Sequence, residues 1–232
     1  MVSSTISREG IIKHSSTYDR APDRAVAEYD PDRSPSLEAQ IIDLADEIAY
    51  NNHDIDDGLK AGYIRLNDLD EIPLWGETYA RVQKKFSQID RNRQIYQTIS
   101  HLIGTLIDDL VRTSSQMLLD NGIRTAEEVR AHTTNLVNFS STMRKRNNEL
   151  KHFLYHKLYR HYKVERMRVK AEHFLQALFD SFQRTPSLLP DDCQTKIAIY
   201  GKERTICDYI AGMTDRYAMD EYKRLFDPYE RV

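Results

Sequence analysis

The chain has 232 residues, 40% of them hydrophobic and 30% charged, with 33 Lys and Arg set against 36 Asp and Glu for a net charge of -3. Such a chain buries a sizeable core, as one large domain or two small ones, and its few Gly and Pro fit a helix-rich globular protein. No run is long and apolar enough to span a membrane and the N-terminus has no apolar signal core; Cys193 and Cys207 make neither a disulfide framework nor a metal-ligand pair, which points to a reducing cytoplasm.

In chain order, residues 1–35 are polar and irregular. "REGIIKHSS" reads as a short helix or helix end, followed by a proline-bearing loop. Ser36 is placed to cap a helix that runs to about Asn52 and continues as the acidic "HDIDDGL" to near Gly58. Leu37, Ile41, Leu44, Ala45, Ile48 and Ala49 recur at helical spacing and predict its buried stripe. Asp46, Tyr50 and Asp54, spaced i, i+4, i+8, form a second stripe nearly opposite, flanked by Asp43 and Glu47. Like charges at this spacing destabilise a lone helix, so either a positive partner covers this face or water does.

Residues 60–88 predict short helices and turns. The longest periodic stretch follows, with Ile95, Ile99, Leu102, Ile103, Leu106, Leu110 and Met117 on one face and a stop at Asn121-Gly122. Thr125 caps a short helix through Arg130. Two helices are expected over 142–161 and 163–184, then a brief one from Asp191 or Asp192. A last helix, "ERTICDYIAGMTDRYAMDEYKRLF", should turn Tyr209, Ile210, Met213 and Tyr217 inward and run to Phe226. No alternating strand pattern appears, so the fold class is all-α, divided as 1–35, a helical core over 36–120 and a C-terminal helical region over 121–232.

Charge is unevenly spread. Residues 19–71 hold fifteen acids and five bases, whereas 144–170 hold ten Lys or Arg and two Glu. An acidic and a basic helix can meet across a cleft, or each can face water. The basic segment "MRKRNNELKHF", with Tyr155, Tyr159 and Tyr162 as stacking partners, also suits single-stranded nucleic acid. His152 and His156 have the i, i+4 spacing of a shared metal, but no third ligand stands nearby, and a basic helix face explains them better. Asp215 and Arg216 read as a surface pair.

Four blocks carry a resemblance: "REGIIKHS", "SLEAQIIDLADEIAYNNHDIDDGLKAG", "NELKHFLYHKLYRHYKV" and "ICDYIAGMTDRYAMDEYKRLF". In this order they resemble the second half of the deoxyguanosine triphosphate triphosphohydrolase family of HD-domain phosphohydrolases. The resemblance implies a multi-helix HD-like bundle and hydrolysis of a deoxynucleoside triphosphate to deoxynucleoside and tripolyphosphate, assisted by a divalent metal, Mg or Mn. It places Asp46 at the last metal ligand, Tyr50 and Asp54 against the sugar and phosphate, Lys13 and Lys151 on phosphate, and Tyr159 under the deoxyribose, where it disfavours a 2'-hydroxyl.

The family's other metal ligands, a His and a His-Asp pair, lie ahead of a segment like "REGIIKHS", which here starts at residue 8. His53-Asp54 follows Asp46 and does not match that pair. The expectation is therefore a chain without the helices that carry those ligands, inactive alone, with a partner chain supplying them; a homo-oligomer is a separate expectation. The alternative is a non-catalytic module that binds nucleotide or single-stranded nucleic acid. In a chain without the family's front helices, part of the apolar stripe over 37–49 should stand uncovered and promote self-association.

Overall fold

The structure, a computed structural model, describes Glu9, Gly10, Lys13 and residues 33–231. Most of the expected N-terminal helix end and loop lies outside these residues. Serine at position 36 opens the first complete helix as expected: its side chain accepts from the Ala39 amide, and α1 runs unbroken over Leu37–Lys60. The helix and its acidic continuation are thus one element, closed through a turn at Gly62, whose φ is 69°.

Next come α2 (Leu66–Leu69), α3 (Pro73–Lys85), α4 (Arg91–Asp120), α5 (Ala126–Ala131) and α6 (Ser141–Leu154). Proline at the first position starts α3, Asp90 caps α4, and Thr125 with Glu128 forms a reciprocal capping box on α5. Ser140 caps α6 while giving its own amide and hydroxyl protons to Asp109 of α4, at 2.8 and 2.7 Å. A π-helical turn, Tyr155–Tyr159, extends α6. Then follow α7 (Tyr162–Arg184), a 3-10 turn (Pro186–Leu188), α8 (Asp191–Tyr200), α9 (Lys202–Ala211) and α10 (Asp215–Phe226). The described residues hold no strand, so the fold is all-α. None of their helices is long and apolar enough to cross a membrane.

Two compact units divide at residues 159 and 160. In the first, α3 lies along α4, and α1 packs on both α4 and α6. Ile55, Leu69, Leu74, Trp75, Leu102, Leu106, Leu150 and Leu154 make its dry centre. The expected face of α4 is the one buried: Leu102, Leu106 and Leu110 are inside, with Ile95, Ile99 and Ile103 packed at the margin. The second unit closes on Leu178, Phe182, Leu189, Cys193 and Ile206, with Tyr209, Ile210 and Met213 against them.

Two expectations need correction. The last helix is two, because the chain breaks at Gly212 and Thr214 caps a new helix by accepting from the Tyr217 amide; Tyr217 stays 41% exposed instead of turning inward. The buried side of α1 is also rotated from the apolar stripe. Leu44, Ile48 and Ile55 are inside, but so are Gln40, Asn51, Asn52 and Gly58, while Ile41 is 48% exposed. Gln40 is tolerated there because its carbonyl accepts the Leu136 and Val137 amides at 2.7 and 3.1 Å. Leu37, Ile41, Ala45 and Ala49 instead line an open apolar groove of about 570 Å³ with Ile107, Val111 and other residues of α4.

Candidate functional site

The second stripe of α1 is a real alignment on the outer face, and α6 with its π turn closes over part of it. Asp46 is exposed and, among the described residues, has no hydrogen bond or ion pair. Tyr50, one turn on, is 59% exposed. Asp54, one turn further, is half-buried and accepts a hydrogen bond from the Tyr159 hydroxyl.

Local packing explains how Tyr159 reaches that point. Gly58 follows Asp54 by one turn, and a Cβ there would lie 2.6 Å from Ile64 Cδ1 and 3.3 Å from Leu158 Cδ1. Its bare backbone lets the π turn lie close against α1, with Leu158 buried and the Tyr159 ring packed at the edge of the core. Burial pushes the Asp54 carboxyl above its ordinary range and nearby Asp57 adds to this, while the Tyr159 bond and His53 oppose it. Tyr159 moves strongly upward too, first through burial and then through its bond to Asp54, so its phenol keeps its proton and acts as a donor.

The covered part of the face is met by positive charge. Arg144, Asn147 and Lys151 share one side of α6 and all donate to Glu47: Arg144 Nη1 at 3.4 Å, Asn147 Nδ2 at 2.5 Å and Lys151 Nζ at 3.0 Å. Lys151 is therefore in the same α1–α6 seam as the stripe, with its side chain 46% exposed. Lys13 is elsewhere engaged: its ammonium pairs with Glu9 at 3.2 Å, donates to the Arg33 carbonyl at 3.0 Å, and is 7% exposed. Burial raises the Glu9 carboxyl, but Arg130 and Lys13 outweigh it and hold the group below its usual value.

Elsewhere on α6 and its π turn, Arg146 pairs with Glu77 at 2.6 Å and Lys157 with Asp68 at 3.8 Å, so acids offset part of the basic segment. Tyr155 and Tyr162 are 47% and 56% exposed. The His152 and His156 rings pack edge to face, 4.3 Å apart.

Residues 137–224 match the phosphohydrolase-associated domain. Across 224 residues, 97% of its length, the chain is 55% identical to a deoxyguanosinetriphosphate triphosphohydrolase-like protein of Geobacter sulfurreducens, covering 58% of that protein. Like-named proteins of Geobacter metallireducens and Bordetella pertussis are 52% and 45% identical over 97% and 95% of the chain, which covers 58% and 57% of them. Over nearly its whole length the chain is similar to proteins named as deoxyguanosinetriphosphate triphosphohydrolase-like. It spans a little under three fifths of the length of these relatives.

The HD-family relationship implies a divalent metal. Of the stripe, Asp46 is the carboxylate with free oxygens, a hard donor suited to Mg or Mn. Among the described residues, no three His, Cys, Asp or Glu side chains converge as a metal site. One carboxylate does not hold such an ion, so these residues alone do not fit the group. The anchoring role of Glu47, with its donor Asn147 and the Asn51 that bonds Asn147 from behind, was missed in the sequence. Its signal was the i, i+3, i+7 spacing of Arg144, Asn147 and Lys151, which sets two cations and an amide on one helix face.

Proposed function

We propose that the outer face of α1, with Tyr159 and Lys151, is one wall of a deoxynucleoside triphosphate site in a triphosphohydrolase. The hydrogen bond between Asp54 and Tyr159 carries this reading. It ties the last residue of the π turn to the stripe and presents a neutral aromatic ring one turn from exposed Tyr50, a surface on which a sugar or base packs. Lys151 supplies a partly exposed ammonium at the same seam, suited to phosphate. Lys13 contributes only if its ammonium leaves Glu9.

In this reading the reaction releases deoxynucleoside and tripolyphosphate, and a bound metal would supply Lewis-acid polarisation of phosphate. Asp46 offers that metal one oxygen, and its other ligands come from outside the described residues, on the same polypeptide or a partner chain. Tyr50, Asp54 and Tyr159 orient the sugar, and Lys151 holds phosphate charge.

Incubating the polypeptide of residues 1–232 with dGTP and manganese, and assaying for tripolyphosphate, tests the donor set. The expected result is no release by this polypeptide alone. Robust release by the pure chain, undiminished by Asp46→Asn, would overturn the assignment of Asp46.

A further inference from the structure

Glu47 has no part in the reading above, yet it accepts more hydrogen bonds from α6 than any other carboxylate of α1. We infer that Glu47 is a positioning residue, which fixes Lys151 and Arg144 at the α1–α6 seam and so sets where a polyphosphate is received. The polyphosphate ligand rests on the proposed nucleotide reading; the positioning rests on the bonds themselves.

Asn147 is fully buried and works in two directions. Its oxygen accepts from Asn51 Nδ2 at 3.4 Å and its amide donates to Glu47 Oε1 at 2.5 Å. Asn51 is itself buried, so an interior amide pair orients the carboxylate. Arg144 is fastened on its far side, donating to Asn138 Oδ1 at 2.7 Å and lying 4.9 Å over the Phe139 ring. The remaining oxygen, Oε2, takes one ammonium, that of Lys151. The network thus has a rigid end and, in Lys151, its more exposed cation, 46% against 32% for the Arg144 side chain.

An ammonium has three donors, so with one given to Glu47 the others remain for phosphate oxygens. The rotamer freedom that Lys151 would lose on binding is already lost to Glu47. Glu47 also opposes an arriving anion, but its side chain is 17% exposed and met by two cations, so these three groups together carry one positive charge. Positioning therefore outweighs repulsion.

The test is a double-mutant cycle on the chain of residues 1–232, titrated at low salt with inorganic tripolyphosphate and with dGTP. Glu47→Gln and Lys151→Met should each weaken tripolyphosphate binding about tenfold, and the double variant should bind no worse than Lys151→Met alone. If Glu47→Gln fails to fold, Glu47→Asp keeps the charge but shortens the reach, and the same loss and the same non-additivity are expected. Unchanged or tighter binding, or losses that simply add, would overturn the inference. Equal affinity for tripolyphosphate and dGTP would count against the nucleotide reading while the cycle still decides Glu47. Binding of neither ligand by the unmodified chain would overturn both.

Discussion

Glu47 and Asp54 leave the same side of α1 two turns apart, and the same stretch of chain, α6 with its π turn, covers both. The covering is chemically opposite. Glu47 receives a guanidinium, an ammonium and a buried amide, whereas Asp54 receives one neutral phenol. Beside them on the helix, Asp46 and Tyr50 stay open to water. A helix that looks uniformly acidic is thus three environments: a charge-matched anchor, an open carboxylate and a half-buried carboxyl held by a phenol. The difference shows why like charges are tolerated along α1. Part of the repulsion is cancelled across the seam, and part is relieved where burial makes ionisation of Asp54 less favourable.

The comparison breaks most severely at its anchored end. Asn147→Leu removes a buried donor from Glu47 and the acceptor of Asn51, and should destabilise the fold by about 2–4 kcal/mol in urea melts, with the buried unpaired groups as the cause. At the other end, Tyr159→Phe deletes a single partly buried bond and should cost about 1–2 kcal/mol. Carboxyl NMR of that variant should also show Asp54 titrating still higher, since the phenol opposes its upward shift. An unchanged Asp54 titration would show that the hydroxyl and carboxyl do not meet.

A third prediction sharpens the contrast through pH. The folded state holds the Asp54 proton more tightly than the unfolded chain does, so the contribution of this group is most favourable below its unfolded value. That contribution is lost as pH rises through the unfolded and on to the folded value. Relative to Asp54→Asn, the unmodified chain should therefore lose stability with rising pH across that acidic window and run parallel above it. An unmodified chain that instead lost stability relative to Asp54→Asn as pH falls would contradict the direction of the shift. The smallest effect belongs to Asp46→Asn, where nothing is buried or bonded: stability should stay within about 0.5 kcal/mol, measured by thermal melting.

Much of this was legible in the sequence because it is local. Ser36, Thr125 and Asp191 mark helix starts through side chains or charge within one turn, and the i, i+4, i+8 spacing put Asp46, Tyr50 and Asp54 in line before any packing was known. The buried side of α1 was not legible. Gln40 is buried because amides ninety-odd residues away, at Leu136 and Val137, satisfy it, and Asn51 because Asn147 does. Hydrophobic periodicity assigns such residues outward and Ile41 inward, the reverse of what the long-range bonds allow. The break in the last helix was missed for a smaller reason: an apolar pattern continues across Gly212 and Met213, while the Thr214 cap stops the backbone from doing so.

The most direct test of the nucleotide wall is a titration of dGTP into isotope-labelled chain, followed amide by amide. The account predicts shifts concentrated at Tyr50, Asp54, Lys151 and Tyr159, larger for dGTP than for GTP. Shifts confined to α8, α9 and α10, or the same response to both nucleotides away from α1 and α6, would contradict it.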